Sequence, residues 1–77
     1  MAVIVYGTQS CPWCKRAKDF LKSHKVKFTE KDVGNNSAAA EEMMKKSNQR
    51  GVPVIEVNGA IIVGFDEERL KRALKIS

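Results

Sequence analysis

The chain has 77 residues, enough for one small domain and too few for two, and 43% of them are hydrophobic, which allows a small core. Its formal net charge is +5, from 14 Lys and Arg residues against 9 Asp and Glu residues. The apolar start at residues 2–6 is too short for a signal peptide, and no apolar run approaches the roughly 18 residues of a membrane span. We therefore expect a cytoplasmic protein without a membrane partner.

The first third of the chain predicts a strand, a helix and a second strand. Residues 2–6 form an apolar run that is typical of a buried strand. Pro12 falls in the first turn of a predicted helix, where its missing N–H would be unpaired in any case. Apolar residues at helical spacing extend this helix to Ser23 or His24. Alternating side chains then predict a strand over residues 26–32.

The middle of the chain predicts a second helix and a third strand. Residues 38–46 have the composition of a helix, and Asn36 or Ser37 can cap its start. Residues 52–57 are rich in branched side chains and predict a strand. Their proline lies near the start of that strand, where a sheet loses least from a missing N–H.

The end of the chain predicts a hairpin and a last helix. Asn58-Gly59 is typical of a two-residue turn, which leads back into a strand over residues 60–63. Asp66 can cap a helix over residues 67–75. The resulting order is β-α-β-α-β-β-α. It predicts a single α/β domain over residues 1–77, with three helices on a mixed four-stranded sheet whose last two strands form a hairpin.

Both cysteines of the chain lie in one short motif, Cys11-Pro12-Trp13-Cys14, between the first strand and the first helix. Two cysteines at this spacing and in this position indicate dithiol redox chemistry. In a cytoplasmic protein such a pair is more typical of catalysis or metal binding than of a structural disulfide.

The positive charge is concentrated just after the cysteines. Residues 15–27 carry six Lys and Arg side chains and a single acid, Asp19. Such a run is either a solvated helix face or a positive field that favours thiolate and attracts an anionic thiol substrate. The chain has no interleaved set of stacking aromatic residues, so we expect no nucleic-acid partner.

Three motifs in this order together resemble the glutaredoxin family of the thioredoxin superfamily. They are Cys11-Pro12-Trp13-Cys14, Val52-Pro53 before the third strand, and Gly64-Phe65-Asp66 before the last helix. The resemblance covers the whole chain and implies a thioredoxin fold. It also implies a monomeric thiol-disulfide oxidoreductase that reduces protein disulfides and glutathione mixed disulfides. Such an enzyme uses glutathione as co-substrate and holds no bound cofactor.

The resemblance gives the two cysteines different roles. Cys11 would be the nucleophile, and Cys14 would resolve the mixed disulfide that Cys11 forms. At the helix N-terminus, unpaired N–H groups and the helix dipole favour the thiolate of Cys11, with Lys15 and Arg16 as thiolate-stabilising cations. Cys14 lies one turn into the helix on its inner side, so we expect it to be buried and protonated.

The resemblance also implies a glutathione-binding site. Pro53 would follow a cis peptide bond and face the active site, while the backbone of Val52 pairs with glutathione in the manner of a strand. Asp66 and Phe65 would hold the γ-glutamyl end, and Gln49 with Arg50 could reach the glycyl carboxylate. The residues expected to contact glutathione are Trp13, Gln49, Val52, Pro53, Phe65 and Asp66.

Four positions depart from the common glutaredoxin pattern, and all of them belong to the expected glutathione groove. Trp13 replaces a frequent Tyr, Thr8 a Lys, Gly51 a Thr, and Val63 the first glycine of a Gly-Gly pair. A redoxin of the same fold that is reduced by thioredoxin reductase is therefore the alternative interpretation. Some small bacterial glutaredoxins carry selenocysteine at the first position, so Cys11 could stand in for selenium.

Metal binding is the remaining alternative. Small copper-carrying domains also place Cys-x-x-Cys after a first strand, and thiolates suit Cu(I). The helix-starting Pro12 and the β-β-α ending argue against that fold. Two cysteines and one remote histidine cannot close a four-ligand zinc site, so we expect no metal. An iron–sulfur cluster shared by two subunits occurs among glutaredoxins, and Pro12 disfavours it.

Overall fold

The computed structural model describes residues 2–76, and its elements follow the predicted order. The strands are β1 (Val3–Gly7), β2 (Thr29–Asp32), β3 (Val54–Val57) and β4 (Ala60–Val63). The helices are α1 (Pro12–Ser23), α2 (Ser37–Ser47) and α3 (Glu67–Leu74). The sheet order is β2-β1-β3-β4, with β1 parallel to β2 and antiparallel to β3, and β3 antiparallel to β4. The predicted mixed four-stranded α/β architecture is confirmed.

The second strand is shorter than the predicted 26–32, because its first residues serve other purposes. The N–H of Val26 bonds to the carbonyl of Leu21 at 2.9 Å and closes the end of α1 around Lys25, whose φ is 57°. This is the six-to-one bond with which helices commonly end. Val26 and Phe28 then pack against the core instead of joining the sheet.

The third strand begins at Val54 rather than at the predicted residue 52. The Val52-Pro53 peptide bond is cis, as the resemblance implies, and Pro53 has no N–H to donate. The carbonyl of Pro53 still accepts a hydrogen bond from Gly64 at 2.8 Å. The last helix is also one residue shorter than predicted, because Lys75 is left-handed with a φ of 58° and caps it.

The sheet separates two apolar clusters, since successive side chains of a strand point to opposite faces. Helices α1 and α3 cover the larger cluster. Its fully or nearly buried members are Val3, Val5, Ala17, Phe20, Leu21, Ile55, Val57, Ile62, Leu70 and Leu74. On the other face, Met43 of α2 packs with Tyr6 and Val54. The chain passes from the carboxyl end of β1 to the start of α1 at one end of the sheet, and both cysteines lie at this junction.

Tyr6 is fully buried, and its hydroxyl is held by charged groups that sequence analysis did not connect with it. The hydroxyl donates to Glu42 and accepts from the ammonium of Lys46 at 3.0 Å. Glu42 also accepts from Lys31 at 2.8 Å, and Lys46 pairs with Glu56 at 2.7 Å. The network therefore ties α2 to three neighbouring strands through one buried phenol.

The position of Glu42 in this network predicts that the free energy of unfolding depends on pH in the acid range. Hydrogen bonds from Lys31 and then Tyr6 lower the pKa of Glu42 from its ordinary 4.5 to about 2. Because the folded pKa is depressed, the contribution of this carboxylate to stability is complete above about pH 4.5 and is lost as the pH falls toward 2. Urea unfolding across this range should show a smaller loss of stability in Glu42→Gln than in wild type. Glu41→Gln, an exposed neighbour, should keep the wild-type slope, and equal slopes in all three proteins would contradict the assignment.

Candidate active site

Cys11 is the N-cap of α1, and its sulfur takes the place of the oxygen that usually caps a helix. Its backbone is extended, with φ −90° and ψ 112°, and its Sγ accepts a hydrogen bond from the N–H of Cys14 at 3.1 Å. Pro12 at the first helical position has no N–H to compete. Cys11 is only partly buried. Its sulfur is thus reachable from solvent while a helix N–H donates to it, an arrangement that suits an attacking thiolate.

Cys14 is in the opposite situation. It is 1% exposed, and its sulfur lies against the backbone of Gly7, where an added Cβ would come within 2.7 Å of it. Burial raises the pKa of the Cys14 thiol to about 11, and a hydrogen bond to Cys11 adds to the rise. The predicted burial of Cys14 is confirmed, and the raised pKa favours the protonated thiol that was predicted. The two thiols therefore differ in access to solvent.

A groove of about 270 Å³ lies beside the cysteine pair. Its lining residues are Trp13, Val52, Pro53, Gly64 and Phe65. Trp13 is 53% exposed, and its ring lies 6.4 Å from that of Phe65, measured between centroids. The structure thus brings four of the six residues predicted for glutathione into one groove.

Two features suit a peptide-like ligand, one at Val52 in the groove and one at Asp66, which follows Phe65 but is outside the residues that line the groove. None of the backbone hydrogen bonds within residues 2–76 engages Val52, so its N–H and C=O can pair with an extended chain. At the start of α3, one carboxylate oxygen of Asp66 accepts from the N–H of Arg69 at 3.1 Å. Asp66 therefore caps the helix, as predicted. Among residues 2–76, its second carboxylate oxygen has no hydrogen bond and can bind a ligand.

Gln49 lies outside the residues that line the groove. Its amide oxygen accepts from the N–H of Gly51 at 2.6 Å, and its amide nitrogen donates to the carbonyl of Gly51 at 3.0 Å. The Gln49 side chain thus stabilises the backbone of the loop that precedes Val52. A direct contact between Gln49 and glutathione stays a prediction, and exposed Arg50 is the freer of the two side chains for a carboxylate.

Both cations predicted to stabilise the thiolate, Lys15 and Arg16, are exposed residues of the first turns of α1. The guanidinium of Arg16 lies 4.7 Å from the centroid of the Trp13 ring, and within residues 2–76 no hydrogen bond joins Arg16 or Lys15 to Cys11. Their thiolate-stabilising role stays a prediction. Sequence analysis missed Lys18, whose charge acts on Cys14. The spacing of four residues from Cys14 to Lys18 was the available signal, because it places both on one face of a helix.

Metal ligands are not gathered around the cysteines. Among residues 2–76, no group of three or more His, Cys, Asp or Glu side chains is placed to hold a metal ion. In the same part of the chain, none of the helices has the length and apolar character needed to cross a membrane.

A partly exposed capping thiol, a buried second thiol and a cis-proline groove on this sheet together define a dithiol redox protein with a thioredoxin-like fold. Comparison with known proteins agrees with this class. The glutaredoxin family model matches residues 3–62. The chain belongs to the glutaredoxin family and is an oxidoreductase of that family with a cysteine pair.

Individual relatives support this assignment. The chain is 41% identical over 71 residues to an uncharacterized glutaredoxin-like 8.6 kDa protein in the rubredoxin operon of Clostridium pasteurianum, covering 92% of this chain and 95% of the relative. It is 40% identical over 65 residues to glutaredoxin 3 of Escherichia coli K12, covering 84% and 78%. The crystal structure of glutaredoxin (grx-1) from Archaeoglobus fulgidus superimposes with a TM-score of 0.89 at 31% identity, covering 97% and 88%.

Proposed function

We propose that the protein reduces protein disulfides and glutathione mixed disulfides through Cys11 and Cys14, with glutathione as its reductant. The observation that carries this proposal is the position of the Cys11 sulfur. It caps α1 with a 3.1 Å hydrogen bond from Cys14, next to a groove with an unpaired backbone segment at Val52. A reaction that consumes thiols in this way needs a reducing compartment such as the cytoplasm.

The proposed cycle moves two electrons by thiol–disulfide exchange. The Cys11 thiolate attacks the glutathione sulfur of a glutathionylated protein, a Cys11–glutathione bond forms, and the protein leaves as a thiolate that takes up a proton. A second glutathione then attacks the mixed disulfide and leaves as oxidised glutathione, which regenerates the Cys11 thiolate. For a protein disulfide, Cys14 performs this resolving attack, and two glutathione molecules later reduce the Cys11–Cys14 disulfide.

The groove can hold glutathione without a change of fold. The Val52 backbone would pair with the middle of the tripeptide, while the exposed ring of Trp13 covers one side. The second oxygen of Asp66 would accept a hydrogen bond from the α-amino group of the γ-glutamyl end, while the first caps α3. The protein needs no bound cofactor in this cycle and works on glutathione and thiol-modified proteins as a monomer, without nucleic acid or membrane.

A redoxin that accepts electrons from thioredoxin reductase is the second candidate. The observation in its favour is Val63, which is 46% exposed beside Gly64 of the groove, where many glutaredoxins have glycine. The branched side chain of Val63 would restrict the access of glutathione to the groove. It would also offer an apolar contact to a larger protein partner.

A coupled assay separates the two candidates. A glutathionylated peptide is offered to the protein with glutathione, glutathione reductase and NADPH, and in parallel a protein disulfide is offered with thioredoxin reductase and NADPH. Our proposal predicts NADPH consumption in the glutathione arm that depends on the protein. Consumption only in the thioredoxin reductase arm would overturn it in favour of the redoxin.

Asp66→Asn tests the glutathione site within the same assay. Asparagine caps a helix about as well as aspartate, so the fold should be kept while the charge is lost. We expect the KM for glutathione to rise about threefold to tenfold, because an exposed charge-assisted contact is lost. Glu68→Gln removes a carboxylate from the first turn of the same helix and should leave KM unchanged. Equal KM values in the two variants would show that Asp66 serves only as a cap.

A further inference from the structure

Lys18 links the helix of the two cysteines to the sheet. It lies one helical turn after Cys14, and its ammonium pairs with the carboxylate of Glu30 in β2. The side chain of Lys18 is 23% exposed and that of Glu30 is 52% exposed. The hydrogen bond to Glu30 raises the pKa of Lys18, so the lysine stays protonated and acts as a fixed positive charge.

Lys18 lies one helical turn from Cys14 on the same face of α1, and its charge lowers the pKa of the Cys14 thiol against the larger effect of burial. Toward β1, Cys14 meets the backbone of Gly7 and a backbone hydrogen bond from Thr8, both uncharged. The titratable groups around the Cys14–Lys18 pair come from two elements. Cys11 and Asp19 belong to α1 and its cap, and Glu30 and Asp32 belong to β2. Asp32 is occupied, since its carboxylate accepts from the N–H of Gly34 and from Asn35, each at 2.9 Å.

A small polar cavity lies near the pair, between Gly7, which contacts Cys14, and Glu30, which pairs with Lys18. It has a volume of about 150 Å³, and its lining residues are Gly7, Thr8, Gln9, Glu30 and Asp32. Gly7 lines this cavity and also lies against the Cys14 sulfur, so one residue separates the cavity from the resolving thiol. A polar cavity of this size holds water, which can accept the thiol proton.

We propose that Lys18, fixed by Glu30, is a positioning residue for the resolving step, because its charge favours the Cys14 thiolate when Cys11 is in a mixed disulfide. In that state Cys11 carries no negative charge, and burial remains as the main force that keeps Cys14 protonated. Cys14 gives its proton to water, its thiolate attacks the Cys11 sulfur, and the Cys11–Cys14 bond forms as the bond to the substrate thiol breaks. The leaving thiolate is thereby reduced, and the two protein sulfurs are oxidised. This inference rests on the resolving role of Cys14 in the proposed function and does not depend on glutathione.

The test uses a symmetrical aromatic disulfide whose thiol product is coloured. Reduced protein should release one coloured thiol when Cys11 attacks and a second when Cys14 closes the disulfide. In Lys18→Met we expect the second release to slow about threefold to tenfold near neutral pH and its pH profile to move upward. The first release should be unchanged. Lys18→Arg should restore the second release, and Lys22→Met, one turn further along α1, should match wild type.

Glu30→Gln should shift the pH profile of the second release in the direction opposite to Lys18→Met. It removes the opposing negative charge but keeps an oxygen that accepts from Lys18, so the pH profile of the second release should move downward. The inference is overturned if Lys18→Met matches Lys22→Met, if Lys18→Arg is as slow as Lys18→Met, or if both releases slow together. If Cys14→Ser still shows two releases, the resolving role of Cys14 fails instead. If only the glutathione-coupled assay fails, the inference about Lys18 stands.

Discussion

Replacing Gly7 by alanine should lower the free energy of unfolding by about 1–3 kcal/mol, the usual effect of forcing an extra carbon into a packed site. The added Cβ would lie 2.7 Å from the sulfur and 3.0 Å from the Cβ of Cys14. Both atoms belong to a short, buried side chain on α1 that cannot swing away. The start of α1, with both cysteines, therefore has to move from β1, and closure of the Cys11–Cys14 disulfide should slow as well.

Gly51→Ala is a matched control for this effect. Its added Cβ would also come within 2.7 Å of another atom, but that atom is the amide oxygen of Gln49, the far end of a flexible side chain in an exposed loop. We expect its stability to stay within about 0.5 kcal/mol of wild type. Urea unfolding of the three proteins makes the comparison. Equal stability of Gly7→Ala and Gly51→Ala would show that the Gly7–Cys14 contact does not constrain the fold.

Much of the fold could be predicted because local signals agreed with the tertiary structure. Asn58 and Gly59 have positive φ values of 49° and 90°, as the two-residue hairpin turn requires. Asp66 caps α3 through Arg69, and Cys11 caps α1. Each of these features depends on residues a few positions apart, so the sequence pattern alone was sufficient to place the elements that hold the site.

The sequence did not predict the contacts between side chains that are far apart along the chain. Tyr6 is a buried strand residue, as the apolar run predicts, but its hydrogen-bond partner Glu42 lies 36 residues away on α2. Lys18 was grouped with the other cations of α1, although Glu30 fixes it next to Cys14. Such pairings follow from how helices dock on the sheet, which spacing along the chain does not specify.

The two cysteine variants should behave very differently in turnover of a glutathionylated peptide. Cys11→Ser should fall at least about a hundredfold, because the attacking sulfur is lost while serine still caps α1. Cys14→Ser should keep turnover of the same order as wild type, because a second glutathione resolves the mixed disulfide on Cys11. Both substitutions exchange a sulfur for an oxygen, so they differ in position and not in chemistry.

The most direct measurement is the intact mass of these two variants after brief exposure to oxidised glutathione at neutral pH. Our account predicts that Cys14→Ser gains one glutathione, on the accessible Cys11. Cys11→Ser should gain almost none, because its remaining thiol is 1% exposed and has a pKa raised to about 11 in the wild-type protein. Equal uptake by the two variants, or uptake by Cys11→Ser alone, would contradict the assignment of Cys11 as the attacking thiol.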